Sequence, residues 1–144
     1  MSAMSDYLEN KLVDQIFRAQ AFTFPSTLHV GLFTAAPGEA GGGTEVSGGS
    51  YARAAVTASL ANFAGTQGAG TTVASSGTGG QTSNNATITF ATPGASWGTV
   101  THFGIFDAAS GGNLLFFGAL TIAKTINQGD TVTFPAASLS VTFA

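Results

Sequence analysis

Leu8, Leu12, Val13, Ile16 and Phe17 recur at the three- and four-residue spacing of one helical face, while Glu9, Asn10, Asp14 and Arg18 fall on the others. Asp6 followed by Glu9 has the form of a capping box, with Asp6 or Ser5 placed to satisfy free N–H groups of the first turn. Asp14 and Arg18 make an i,i+4 pair of opposite charge. The spacing predicts a helix within residues 1–20 that ends before Phe22 and Pro25. Its apolar stripe has two readings. Amphipathic helices usually face their own core, here a sheet; the alternative is docking onto a neighbouring subunit, with Leu8, Leu12, Ile16 and Phe17 as the candidate interface.

After Pro25 the pattern changes to period two and keeps it to the end. Leu28, Val30 and Leu32 alternate with Thr27, His29 and Gly31, as in a half-buried strand. Residues 36–50 form a glycine-rich loop, and Tyr51 to Leu60 reads as a second strand. Residues 61–85 hold almost only small and polar residues apart from Phe63 and Val73, which predicts a long exposed polar loop or a loose hairpin. Further short strands follow at Ala86–Ala91, Thr99–Asp107, Asn113–Leu120, Thr121–Ile126, Thr131–Phe134 and Ser138–Phe143. Ile88-Thr89-Phe90, Val132-Thr133-Phe134 and Val141-Thr142-Phe143 share a pattern in which an aliphatic and an aromatic residue point inward and Thr points outward. The expected fold is mainly β, an antiparallel β-sandwich with the jelly roll as one arrangement of it, carrying one N-terminal amphipathic helix.

A chain of 144 residues is expected to be a single domain spanning 1–144. The absence of Cys excludes disulfides, thiolate metal sites and cysteine nucleophiles. Charge changes the picture most: 8% of residues are charged, against about 25% in a typical soluble domain. Four basic residues and a net charge of -3 cannot build the basic stripe that phosphate contacts need, so nucleic acid is not an expected partner. Neither an apolar run of membrane-spanning length nor a secretory signal is visible, which predicts a protein made in the cytoplasm and soluble there, without membrane insertion.

No catalytic constellation emerges. The glycine-rich GEAGGGT at 38–44 lacks the lysine of a P-loop. His29 and His102 lie on separate strands without metal-ligand spacing, and His102 is placed on a strand face with Val100, Gly104 and Phe106 as a hydrogen-bonded, partly buried side chain. Asp107 and Asp130 have the position of turn residues, Glu39 and Glu45 fall in a mobile glycine-rich loop, and no G-x-S-x-G elbow occurs. The expectation is no enzyme, no cofactor and no metal. From Phe22 onward the ionic residues are Glu39, Glu45, Arg53, Asp107, Lys124 and Asp130, so several strands lack a charged gatekeeper. Neutral small-residue faces suit contact with other subunits, because no charge must be stripped of water to form it.

Five blocks carry a resemblance: DYLENKLVD at 6–14, LHVGLFTAAPG at 28–38, GGTEVSGGSYAR at 42–53, WGTVTHFGIFDAASGGNLLFFGAL at 97–120 and GDTVTF at 129–134. In these the chain resembles a family of small virion proteins of tailed bacteriophages, commonly labelled tail fibre or structural proteins. The resemblance implies a non-enzymatic virion subunit present in many copies, with other virion proteins and itself as partners. The leading placement is a decoration, or cement, protein on the capsid or head-to-tail region. The alternative is a tail fibre or collar subunit contacting the host, with Tyr51, Trp97 or His102 as candidate contacts to a host glycan, although Trp97 beside Gly98 reads more readily as a core plug at a turn. A free carbohydrate-binding module is the third expectation, from a different class.

Overall fold

The computed structural model describes residues 2–143. Its elements in chain order are β1 (Ser2–Met4), α1 (Asp6–Phe17), β2 (Thr27–Ala35), β3 (Thr44–Glu45), β4 (Ala54–Thr57), β5 (Gln81–Ser83), β6 (Ile88–Thr89), β7 (Gly98–Phe106), β8 (Leu114–Ile126), β9 (Thr133–Phe134) and β10 (Ser140–Thr142). One six-stranded antiparallel sheet runs β1-β8-β7-β2, with β3 and β4 both paired to the far side of β2. Two antiparallel ribbons, β5 with β10 and β6 with β9, supply the facing layer. The result is the expected mainly β, antiparallel, sandwich-like architecture with one N-terminal helix. A six-stranded sheet faces two ribbons here, in place of the paired sheets that make the eight strands of a jelly roll.

Alternation explains the layering. Val30, Leu32, Val100, Phe103 and Ile105 of the large sheet meet Ile88, Phe90, Leu139 and Val141 from the ribbon side in one buried cluster. The opposite face of the large sheet carries a smaller cluster of Phe33, Phe106 and Leu114. The shared aliphatic-Thr-aromatic pattern holds at Ile88-Thr89-Phe90, where both ends are buried and Thr89 is exposed. It fails at the end of the chain: Phe143 is half exposed and lies edge-on to Phe116.

The N-terminal region is only partly helical. Residues 2–4 form an edge strand on β8, and the Ser5 hydroxyl caps the helix by accepting from the Leu8 N–H while donating to the Leu114 carbonyl. The helix ends at Phe17, and Ala19 adopts φ 54° as the chain reverses.

The two strands expected at 113–120 and 121–126 are one. No Gly, Pro, Asn or Asp separates Leu120 from Thr121, so nothing reverses the chain, and β8 stays on β7 throughout. The irregularity appears as a bulge instead: Val100 pairs with Lys124 and His102 with Ala119, leaving Leu120–Ala123 opposite Thr101 alone. That bulge also removes His102 from the face it was expected to share with Val100, because Val100 and Phe103 now both enter the core. The polar 61–85 stretch is tied down more than its composition suggests. Its end forms β5, and Asn84 is buried with its amide nitrogen on the Ala86, Phe134 and Pro135 carbonyls and its oxygen accepting from the Leu139 N–H.

Candidate functional site

The densest polar cluster joins Glu45, Tyr51 and Arg53. Glu45 is placed by β3, not by a mobile loop, because Val46 beside it is a core residue whose N–H donates to the Leu32 carbonyl. Arg53 meets the Glu45 carboxylate in a fork, Nε to Oε1 at 2.8 Å and Nη2 to Oε2 at 2.8 Å. Its Nη1 donates to the carbonyls of Ala108 and Gly111, each at 2.8 Å, and its guanidinium carbon lies 3.4 Å from the centre of the Phe106 ring. The Tyr51 hydroxyl donates to Glu45 Oε1 and accepts from the Leu32 N–H, both at 2.9 Å. Burial pushes the Tyr51 phenol well above its ordinary value, and the Glu45 charge adds to the rise. Each polar atom in the cluster therefore already has a partner. The cluster clamps the 108–111 turn to β3; it holds no poised base or nucleophile.

The other ionisable groups are scattered. Asp107 accepts from the Asn113 backbone and side-chain amides, and Asp130 accepts from the Asn127 N–H, so both serve turns as their positions suggest. His102 Nδ1 shares a 2.8 Å hydrogen bond with the Thr101 hydroxyl. The ladder pairs His29 with Phe106 and His102 with Phe33, four positions apart along β2. His29 Nδ1 is buried without a hydrogen-bond partner. Among the described residues no three His, Cys, Asp or Glu side chains come together. Among the described residues no nucleophile, base and oxyanion donor come into one place.

Of the candidate glycan contacts, Trp97 takes the reading favoured for it, a core plug at a turn. It is 5% exposed, its indole N–H donates to the Gly49 carbonyl at 2.9 Å, and Tyr51 packs against it edge-on. Its size and apolar surface place it in the core, so it offers no face for a sugar ring to stack on. Tyr51 spends its hydroxyl inside the clamp, and His102 is half-buried.

The four candidate interface residues divide. Leu8 is buried and Leu12 half-buried against the protein's own body, whereas Ile16 is 66% and Phe17 79% exposed. The returning segment after α1 covers another side of the helix: the Phe22 N–H donates to Gln15, and the Phe22 ring lies edge-on to Tyr7. Val13, half exposed, joins Ile16 and Phe17 on the uncovered side. Next to Leu8 and Leu12 lies an almost wholly apolar groove of about 250 Å³, with Phe24, Leu28, Phe116 and Phe143 in its walls. The sequence pattern pointed to Ile16 and Phe17. It gave no warning of Phe24 and Phe143, whose exposure depends on where two irregular segments meet the end of the sandwich.

A β-sandwich in which Glu45 and Arg53 form a clamp and Asp107 and Asp130 serve turns, and whose most exposed large apolar side chains include a bare helix face, has the features of a structural building block. Residues 3–142 match the family described as Podophage GP4 fiber I protein gp80, and the chain belongs to that family. It is thus a structural, fibre-type protein of a bacteriophage virion. No match is found among curated proteins. Among the described residues no helix is long and apolar enough to cross a membrane.

Proposed function

We propose that the chain is a non-enzymatic subunit that works in several copies within the fibre or collar apparatus of the virion, held by its own apolar surfaces and by neighbouring virion proteins. The observation that carries this reading is the fibre family matched over residues 3–142. The structure supports it in two ways: Glu45, Arg53 and Asp107 are engaged in holding loops, and the helix offers Val13, Ile16 and Phe17 to solvent. Attachment strength then comes from repetition, since linked weak contacts reinforce one another without a deep pocket.

Capsid or head-to-tail decoration is the second reading. It is favoured by the compactness of the sandwich, which contains no elongated repeat. Copy number and position in purified particles separate the two. Cryo-electron microscopy of particles bearing a tag in the 61–85 segment is expected to place the chain on appendages at the tail or collar, in copies matching their symmetry. Density distributed over the shell lattice in hundreds of copies would overturn the fibre placement in favour of decoration. Absence from particles would overturn both.

A further inference from the structure

The chain has four basic side chains, and three of them are matched within it. Arg53 is held by Glu45, Arg18 by Asp14, and the Lys11 ammonium lies 5.7 Å from the centre of the Tyr7 ring. The fourth, Lys124, is exposed on β8, and its ammonium has no ion-pair or hydrogen-bond partner among the described residues. Asp130 shares a pocket with it but already accepts from the Asn127 N–H.

We infer that Lys124 marks a binding groove for a carboxylate-bearing saccharide, with the carboxylate of the sugar acid on its ammonium. The inference goes beyond the structural role above, which assigns no ligand. An unmatched cation in a chain so sparing of charge is the first observation behind it, and the lining of the groove and the shape of β8 are the others.

Lys124 lines a groove of about 410 Å³ between β8 and the strands β9 and β10, a volume in the range of small-molecule sites. Phe103, Leu120, Phe134 and Leu139 supply apolar lining, on which the C–H face of a pyranose ring can rest. Thr133, Ser140 and Thr142 line the ribbon side, and their hydroxyls have no hydrogen-bond partner among the described residues. A protein hydroxyl both donates and accepts, as a sugar hydroxyl does, so the two pair in either sense. One point charge for a carboxylate, hydroxyls beside it and an apolar lining together match a sugar acid.

The bulge in β8 forms one wall of this groove. Leu120–Ala123 lie opposite Thr101 alone, and bulges concentrate beside functional sites because they re-aim side chains. Ile122, within the extra residues, is 76% exposed, and Leu120, Ile122 and Lys124 all line the groove. The same irregularity decides between classes of ligand. Among the described residues β1 pairs with β8 at Phe116–Gly118 only, which leaves the edge beyond unpaired, but an edge that is bulged and carries a lysine offers no regular ladder to a peptide strand. Recognition there falls to discrete side-chain contacts around one charge, which a sugar acid meets and an extended acidic peptide does not.

Titration of the isotope-labelled full chain with digalacturonic acid, followed by two-dimensional NMR of the backbone amides, is the test. Galactobiose serves as the neutral counterpart and a triglutamate peptide as the acidic one, and the dispersion of each spectrum shows that the variant is folded. Saturable shifts are expected at Leu120–Lys124, Thr133 and Ser140–Thr142, with a millimolar dissociation constant for the sugar acid and at least tenfold weaker binding of galactobiose. Lys124→Met is expected to raise the constant for digalacturonic acid at least tenfold, and Thr133→Val or Ser140→Ala to raise it several-fold, with shifts elsewhere unchanged. The absence of saturable shifts, equal binding of galactobiose, full affinity in Lys124→Met, or shifts centred on Tyr51 and His102 would each overturn the assignment, as would tighter binding of triglutamate, which would give the groove to an acidic peptide. Sugar binding by a chain absent from particles would leave the groove assigned and defeat the virion placement; a particle-bound chain that binds no sugar acid would do the reverse.

Discussion

Removing the Glu45 carboxylate isolates one of the few buried charges in the protein. The Arg53 side chain is 8% exposed and the Glu45 side chain 25% exposed, so Glu45→Ala leaves the guanidinium with two backbone carbonyls and the Phe106 ring but no counter-charge. Breaking one side of a buried pair costs about 3–5 kcal/mol, and the partial exposure of Glu45 lets water replace some of the loss, which sets the expectation at about 3 kcal/mol. For a chain of this size that corresponds to a fall in Tm of about 6–12 °C. Arg53→Met is expected to cost a similar amount, because the Glu45 charge and the Ala108 and Gly111 carbonyls lose their donor. The double variant Glu45→Leu with Arg53→Met is expected to be less destabilised than the sum by about 2 kcal/mol, since neither charge is then stranded. Urea unfolding followed by the fluorescence of the sole tryptophan, at one fixed protein concentration, reads all three. A Glu45→Ala variant within about 1 kcal/mol of wild type, or strict additivity in the double variant, would refute the view that this clamp is a coupled, largely dry unit.

Other outcomes follow from single contacts. Asn84→Ala strands the Leu139 N–H and three carbonyls at a position 1% exposed, so a loss of about 3 kcal/mol is expected, with faster amide exchange at Leu139; unchanged exchange there would contradict the role given to the side chain. Gly104→Ala puts a methyl carbon 2.8 Å from Phe33 and 2.9 Å from Leu114, which should cost about 1–3 kcal/mol by overpacking, visible as a shift of the urea midpoint. The Tyr51 phenol is raised in the folded state, so its contribution is complete below the unfolded value of about 10 and is lost as pH rises beyond it. Wild-type stability should therefore decline above about pH 10 more steeply than that of Tyr51→Phe, and equal slopes there would show that the hydroxyl is not buried as described.

The regular part of the fold was legible because burial and alternation coincide. Val30 and Leu32 on β2, and the Ile88-Thr89-Phe90 run, sit where period two places them. The helix was legible for the same reason at period 3.6, but β1 was not, since Ser2-Ala3-Met4 has no alternation and becomes a strand only because β8 offers a free edge. Long-range geometry hid the rest. The bulge at Leu120–Ala123 breaks the face count that put His102 beside Val100. Asn84 looked like one polar residue among many, although its position beside the chain's last ribbon makes it a hub. Within the candidate interface, spacing placed Leu8, Leu12, Ile16 and Phe17 on one stripe, but could not say that the body of the protein would cover only the first two.

The two ends of the described chain meet, the Thr142 N–H donating to the Ser2 hydroxyl at 2.8 Å. Tension applied between those ends first loads this junction and the short pairings of β1 and β10, while the long β2-β7-β8 ladder bears none of it. A cargo tethered at either end would hang from the same corner, and a permuted chain joined there by a short linker should keep the sandwich unaltered.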